Sequence, residues 1–224
     1  VDGARTAERC GADRVELCAD LLEGGITPSI GMVRTTLAAL TRIGLQVLVR
    51  PRGGDFCYDP DEIGVMCADI AAIRALEPPP GVRVGFVLSG LTPDGRVDRE
   101  VLTELVAACG DAPLTFSKAF DEVADQDRAL DELTELGFTR VLTSGGAPTA
   151  AAGADTLRRL AGHPRITVLA GGGIRSGSVA DLVARTGVRE VHLRAPAPPD
   201  GRCRTSAAEV AAVVAAVRNT GVAR

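Results

Sequence analysis

Thr167-Val168-Leu169-Ala170-Gly171-Gly172-Gly173-Ile174-Arg175 decides the reading of this chain. Four residues suited to a strand run directly into three glycines, and a helical segment follows from about Val179. Glycine lets backbone N–H groups converge in conformations that other residues resist. A helix start just beyond adds unpaired donors and a positive dipole end, a combination that suits an anion. A tight strand-to-helix turn with no ligand explains the same residues, so the run alone does not choose. Thr143-Ser144-Gly145-Gly146 repeats the arrangement one strand earlier. That repetition makes Ser144, Gly145, Gly146, Gly171, Gly172 and Gly173 candidate anion-binding groups.

Outward from this point the chain alternates. Strand character recurs at 14–18, 46–50, 82–88, 114–116, 140–142, 167–170 and 190–193. Helical character falls at 4–10, 31–41, 61–76, 98–109, 126–136, 156–161, 179–185 and 207–218. Gly44, Gly137 and Gly187 stand where a helix C-cap wants glycine. Pro78-Pro79-Pro80 must end a helix, since proline lacks the N–H and disfavours α geometry before it. Seven strands alternating with helices imply parallel pairing. One more strand before Val1 would make the eight of a (β/α)8 barrel, so the natural chain is expected to extend upstream. No linker or compositional break divides 1–224, which reads as one domain.

Composition narrows the partners. Apolar residues are 46% of the 224, enough for a sizeable core. Net charge is −4, there is no basic run, and five Phe with one Tyr leave little to stack on bases, so nucleic acid is not expected. Apolar runs are too short for a membrane span. Six cysteines (Cys10, Cys18, Cys57, Cys67, Cys109, Cys203) stand far apart with no C-x-x-C, the pattern of reduced cytoplasmic thiols. Met32 and Met66 lie on helices and read as packing.

The loops after strands carry the unusual chemistry: Glu23-Gly24-Gly25, 52–58, 92–96, 118–121, 144–146 and 171–175. Loops before strands are short and plain. One-sided loading fits a barrel with its site at the strand C-termini; a doubly wound sheet would place its ligand at one switch point. Alternation puts Arg14, Glu16 and Cys18 on one face, as it does Gln46, Leu48, Arg50 and Arg52, and Glu190, His192 and Arg194. With the apolar faces on the helices, these sets point inward, and ion pairs are expected among Arg14, Glu16, Arg50, Arg140, Glu190 and Arg194. Arg50, Arg52, Arg194 and Lys118, the only lysine, make a cationic mouth suited to phosphate or carboxylate. Glu16, Asp55, Asp121 and His192 are its candidate acid–base groups.

Several stretches together resemble the CutC copper-homeostasis family. They are Gly11-Ala12-Asp13-Arg14-Val15-Glu16-Leu17-Cys18, Glu23-Gly24-Gly25-Ile26-Thr27-Pro28-Ser29, and Val49-Arg50-Pro51-Arg52-Gly53-Gly54-Asp55-Phe56. Leu91-Thr92-Pro93-Asp94-Gly95, Ala119-Phe120-Asp121, the run from Gly137 to Gly146, and Gly171-Gly172-Gly173-Ile174 continue the match in order. The resemblance implies a TIM-type barrel, a cytoplasmic protein, a link to copper and frequent self-association into homo-oligomers. Where the family usually has Thr-Phe-His-Arg-Ala-Phe-Asp, this chain has Ser117 and Lys118 in the third and fourth places. Copper(I) favours soft ligands, which makes Cys18 and Cys57 the candidate metal residues. Two functions stand side by side: copper handling, and an enzyme acting on a small anionic or phosphorylated molecule. A ligand-free oligomeric scaffold is a third, and the polar loops at one rim count against it.

Overall fold

Along the strand Gly44–Leu48, Leu45 and Val47 are wholly buried against helices, while Gln46 and Leu48 turn the other way. The computed structural model describes residues 1–198 and 204–221. In it the strands are β1 Arg14–Leu17, β2 Gly44–Leu48, β3 Val84–Leu88, β4 Leu114–Phe116, β5 Arg140–Thr143, β6 Thr167–Gly171 and β7 Glu190–His192. All pair in parallel and in sequence order. The helices are α1 Asp2–Arg9, α2 Ile30–Leu37, α3 Pro60–Arg74, α4 Arg99–Cys109, α5 Gln126–Glu135, α6 Ala154–Leu160, α7 Val179–Thr186 and α8 Ala207–Arg218. The architecture is that of a TIM-type barrel.

The outward strand residues and the inner helix faces form the main core. Val47, Phe86, Leu88 and Phe116 meet Val33, Met66, Ile70, Leu102 and Leu105, all fully or almost fully buried. Each such side chain contributes about 1.5–3 kcal/mol relative to exposure. Phe116 holds Phe138 and Phe120 edge-on, at ring separations of 5.7 and 6.5 Å. Met66 fits the expectation of packing; Met32 does not, being 37% exposed at the start of α2.

Local chemistry fixes the helix ends. Asp59 accepts the Glu62 N–H at 2.9 Å while Glu62 accepts that of Asp59 at 3.0 Å, with Pro60 opening α3. Glu8 of α1 takes the N–H groups of Thr41 and Arg42 at 3.0 and 2.9 Å, pinning α1 to the turn before β2. A short 3-10 helix over Lys118–Glu122, capped by Ser117, follows β4 where the sequence reads as a chemically loaded loop over 118–121.

Inside the barrel, register aligns Glu16, Gln46 and Gly85, then Val87, Thr115, Arg140 and Thr167, then Leu142, Leu169 and Glu190. A side chain on Gly85 would collide with the Gln46 amide lying across it. Arg14 of β1 and Arg140 of β5 both donate to Glu190 Oε2 of β7, the latter at 2.8 Å. The sheet therefore curls until its first and last strands exchange side-chain contacts. The expected pairing of Arg14, Arg140 and Glu190 is present. For Arg50 and Arg194 the expectation fails: neither makes an ion pair among the described residues. Arg50 stands past the end of β2, where backbone carbonyls reach it first, and Arg194 is exposed beyond β7. Cys203 lies outside the described residues.

Candidate functional site

The turn after β5 already holds an anion, and it is the chain's own. The 3-10 helix after β4 carries Asp121 beneath this turn. Asp121 Oδ1 accepts the N–H of Ser144 at 3.0 Å, the N–H of Gly146 at 2.9 Å and the Thr143 hydroxyl. Its Oδ2 accepts Lys118 Nζ at 2.6 Å and the Ser144 hydroxyl at 2.8 Å. Gly145 donates to Thr143 Oγ1 at 2.8 Å. Gly145 and Gly146 sit at φ 76° and 68°, the left-handed backbone that turns these N–H groups inward. Burial pushes the Asp121 carboxyl up, but Lys118, Thr143, Gly146 and Ser144 outweigh it and hold the group below its ordinary value. Lys118, Asp121 and Ser144 are thus brought together, with the Ser144 and Gly146 N–H groups committed to the carboxylate and that of Gly145 to Thr143.

The turn after β6 differs. Gly172 accepts the Ala150 N–H at 2.9 Å, and a side chain on Gly171 would stand 2.6 Å from Leu142 Cδ1. Gly172 and Gly173 adopt φ 101° and 74°. Beside them His192 Nδ1 lies 3.9 Å from Glu16 Oε2, linking β7 to β1 on the inner face. Arg175 reaches across to the Arg194 carbonyl at 3.2 Å.

Arg50 and Arg52 share a loop but not a role. Arg52 sends Nε and Nη2 to Glu62, and Nη2 also meets Asp55 at 3.0 Å and the Cys57 carbonyl at 2.9 Å. Its guanidinium lies 5.8 Å from the Tyr58 ring centroid. Arg52 therefore ties the β2–α3 loop to the capping box of α3, and it holds the exposed Asp55 carboxyl below its ordinary value. Arg50 is 6% exposed. Its Nη1 donates to the carbonyls of Glu23 at 2.9 Å and Gly25 at 3.2 Å, its Nη2 to that of Gly54. The Phe56 ring lies against the guanidinium at 4.5 Å. Among the described residues Arg50 Nε has no hydrogen-bond partner.

Cys18 follows β1 on its inward side. The Cβ position of Gly25 lies 3.6 Å from its Sγ, so that glycine forms a roof over the thiol. Burial pushes the Cys18 thiol up to about 11, with Glu16 adding and Arg194 opposing. Burial also raises Cys57, whose charged surroundings are Asp55, Asp98, Arg52 and Glu122. The two thiols thus answer to different neighbours. No group of three or more His, Cys, Asp or Glu among the described residues is placed to share a metal ion.

The model of the CutC family matches residues 1–197. The chain belongs to the CutC family. The human copper homeostasis protein cutC homolog is 42% identical over 202 residues, covering 89% of this chain and 72% of its own length. A solved structure of a CutC family member, the putative copper homeostasis protein from Streptococcus agalactiae, superposes with a TM-score of 0.74 at 33% identity, covering 81% of this chain and 88% of that one. The TrpF structure from Jonesia denitrificans covers 99% of this chain and 93% of its own, with a TM-score of 0.62. At 16% identity that likeness speaks for the barrel alone.

Within this family fold, sequence reading missed Tyr58, Ser89, Thr143 and Glu62. Tyr58 Oη and Ser89 Oγ are 2.7 Å apart at the ends of the β2–α3 loop and β3. The Asp59-to-Glu62 capping spacing was a visible signal for Glu62; nothing in the local sequence marked Ser89.

Proposed function

We propose that this chain serves copper homeostasis by holding Cu(I) as cargo at the C-terminal mouth of the barrel, with Cys18 as principal ligand. The observation that supports it is the placement of Cys18: an inward thiol, half-buried under Gly25, with Glu16 close by and His192 next to Glu16. Cu(I) prefers such soft, partly desolvated ligands, and displacement of the thiol proton by the metal is the chemical step required. Cys57 is the proposed second thiol and His192 the alternative nitrogen ligand. A reducing cytoplasm fits the free thiols of the described cysteines. No helix among the described residues is long and apolar enough to cross a membrane. Cu(I) titration against a competing chelator tests the reading. Stoichiometric copper should be retained by the parent, weakened in Cys57→Ser and lost in Cys18→Ser. Equal retention in Cys18→Ser overturns it.

A second reading has one observation in its favour. Arg50 is a buried cation without a carboxylate, as expected of a barrel that acts on a small anionic or phosphorylated molecule. Glu16 and His192 are its proposed acid–base groups, and Gly171, Gly172, Gly173 and Arg194 its proposed anion contacts. Asp121 and Lys118, engaged with each other, contribute fixed charge there. An unbiased screen for metabolite turnover tests it, and loss of turnover in Glu16→Gln is the expected result.

A further inference from the structure

We propose that Arg50, Tyr58 and Ser89 form a binding site for the carboxylate or phosphate group of a small molecule. The inference gives the second reading its anion subsite and rests on that reading only for location, not for turnover.

Charge comes first. A buried guanidinium with no carboxylate partner costs several kcal/mol. Three carbonyl oxygens and the Phe56 face offset part of that. None of these carries a formal negative charge. Asp55, the acid on the same loop, is committed to Arg52.

Hydrogen counting follows. Three of the five Arg50 N–H groups, two on Nη1 and one on Nη2, reach carbonyls, the Tyr58 phenol is a further side-chain partner of the guanidinium, and Nε is buried without an acceptor among the described residues. Tyr58 and Ser89 bring two hydroxyl hydrogens and make one hydrogen bond, at 2.7 Å. One of those hydrogens has no acceptor among the described residues. Ser89 is fully buried and stands two residues past Val87, as Arg50 stands two past Leu48, the register partner of Val87 across β2 and β3; the guanidinium also lowers the Tyr58 phenol against the dominant effect of burial. One loop–strand junction therefore combines a buried guanidinium, in no direct contact with a carboxylate among the described residues, with two donors in want of acceptors. A water molecule would satisfy the donors and leave the charge; an oxyanion satisfies both.

Tyr58 is the only tyrosine and the chain has no tryptophan, so its ultraviolet absorption and emission report this site directly. The experiment titrates inorganic phosphate and, separately, acetate against the whole chain at constant ionic strength, with chloride as control. A saturable change in the Tyr58 signal with a dissociation constant of about 1 mM or tighter is expected. A response to phosphate alone assigns a phosphoryl group, and a response to acetate alone a carboxylate. Ser89→Ala should weaken binding at least about fivefold with an unchanged circular dichroism spectrum, and Tyr58→Phe should do the same by calorimetry. Arg50→Gln should abolish binding, and if it fails to fold, the other two variants decide. No saturable response to either ion, or equal affinity in the parent and Ser89→Ala, overturns the site. Binding with no turnover in the metabolite screen sinks the second reading and leaves the site standing.

Discussion

The Asp121 carboxylate accepts the backbone N–H of Gly146 at 2.9 Å, across 25 residues of chain. This single contact changes the meaning of the glycine turn after β5. Donors that look prepared for a ligand are satisfied from within, and Lys118 completes the arrangement as counter-charge.

Removing that internal anion should therefore open a pocket. Asp121→Gly is expected to lose about 3 kcal/mol of stability, because Lys118, Thr143 and two backbone N–H groups lose their acceptor. Added acetate should restore part of the melting temperature, with no such effect on the parent. In the parent, the carboxyl is held below its ordinary 3.8, so its contribution is complete above that pH and disappears as the pH falls further. Urea denaturation as a function of pH reads both effects.

Copper binding should carry a proton signature. The Cys18 thiol ionises near 11, so at neutral pH the metal must expel its proton. Apparent Cu(I) affinity should rise about tenfold per pH unit if one thiol is used, and about a hundredfold if Cys57 joins. A slope of zero would remove thiolate ligation altogether.

Glu190 serves two arginines, so its loss should be disproportionate. Glu190→Gln is expected to cost about 3 kcal/mol by leaving Arg14 and Arg140 without compensation. Replacing all three by apolar residues of similar volume should recover most of it. Thermal melts of the single and triple variants decide the point.

Glu8 gives a second acid-sensitive tether. Burial works to raise its carboxyl, yet the N–H groups of Thr41, Arg42 and Ile43 prevail and lower it. The tether is therefore intact above the ordinary value of 4.5 and released as the pH falls below it. Glu8→Gln should lose about 1 kcal/mol at neutral pH, and the difference from the parent should vanish in acid.

Much of the fold was legible because period-2 alternation survives in the strands and helix punctuation is explicit. Arg14 and Glu190 could be placed inside the barrel from alternation alone, and the expectation that they pair with Arg140 followed from the cost of burying charge. Arg50 obeys the same alternation, but its partners are carbonyls of Glu23, Gly25 and Gly54. Carbonyls leave no trace in residue type, so no sequence pattern announces them. The turn after β5 misled for a related reason: glycines report that donors converge, not what they converge on. Its occupant, Asp121, stands in the stretch Ala119-Phe120-Asp121 and reads from sequence as a candidate acid–base group. Arg52 was read as a mouth cation, although Glu62, ten residues on, claims it through a helix cap.

The contact between Arg14 and Glu190 spans 176 residues. During synthesis, β1 leaves the ribosome long before its partner strand exists. Strands paired in sequence order can assemble progressively, whereas this ion pair can form only when β7 arrives. Until then the guanidinium of Arg14 stays hydrated and the emerging curl has no latch. High separation between contacting residues slows folding and favours cooperative completion over piecemeal gain. The last strand thus acts as a checkpoint on the first, and a nascent chain stalled before Glu190 should remain open to proteases.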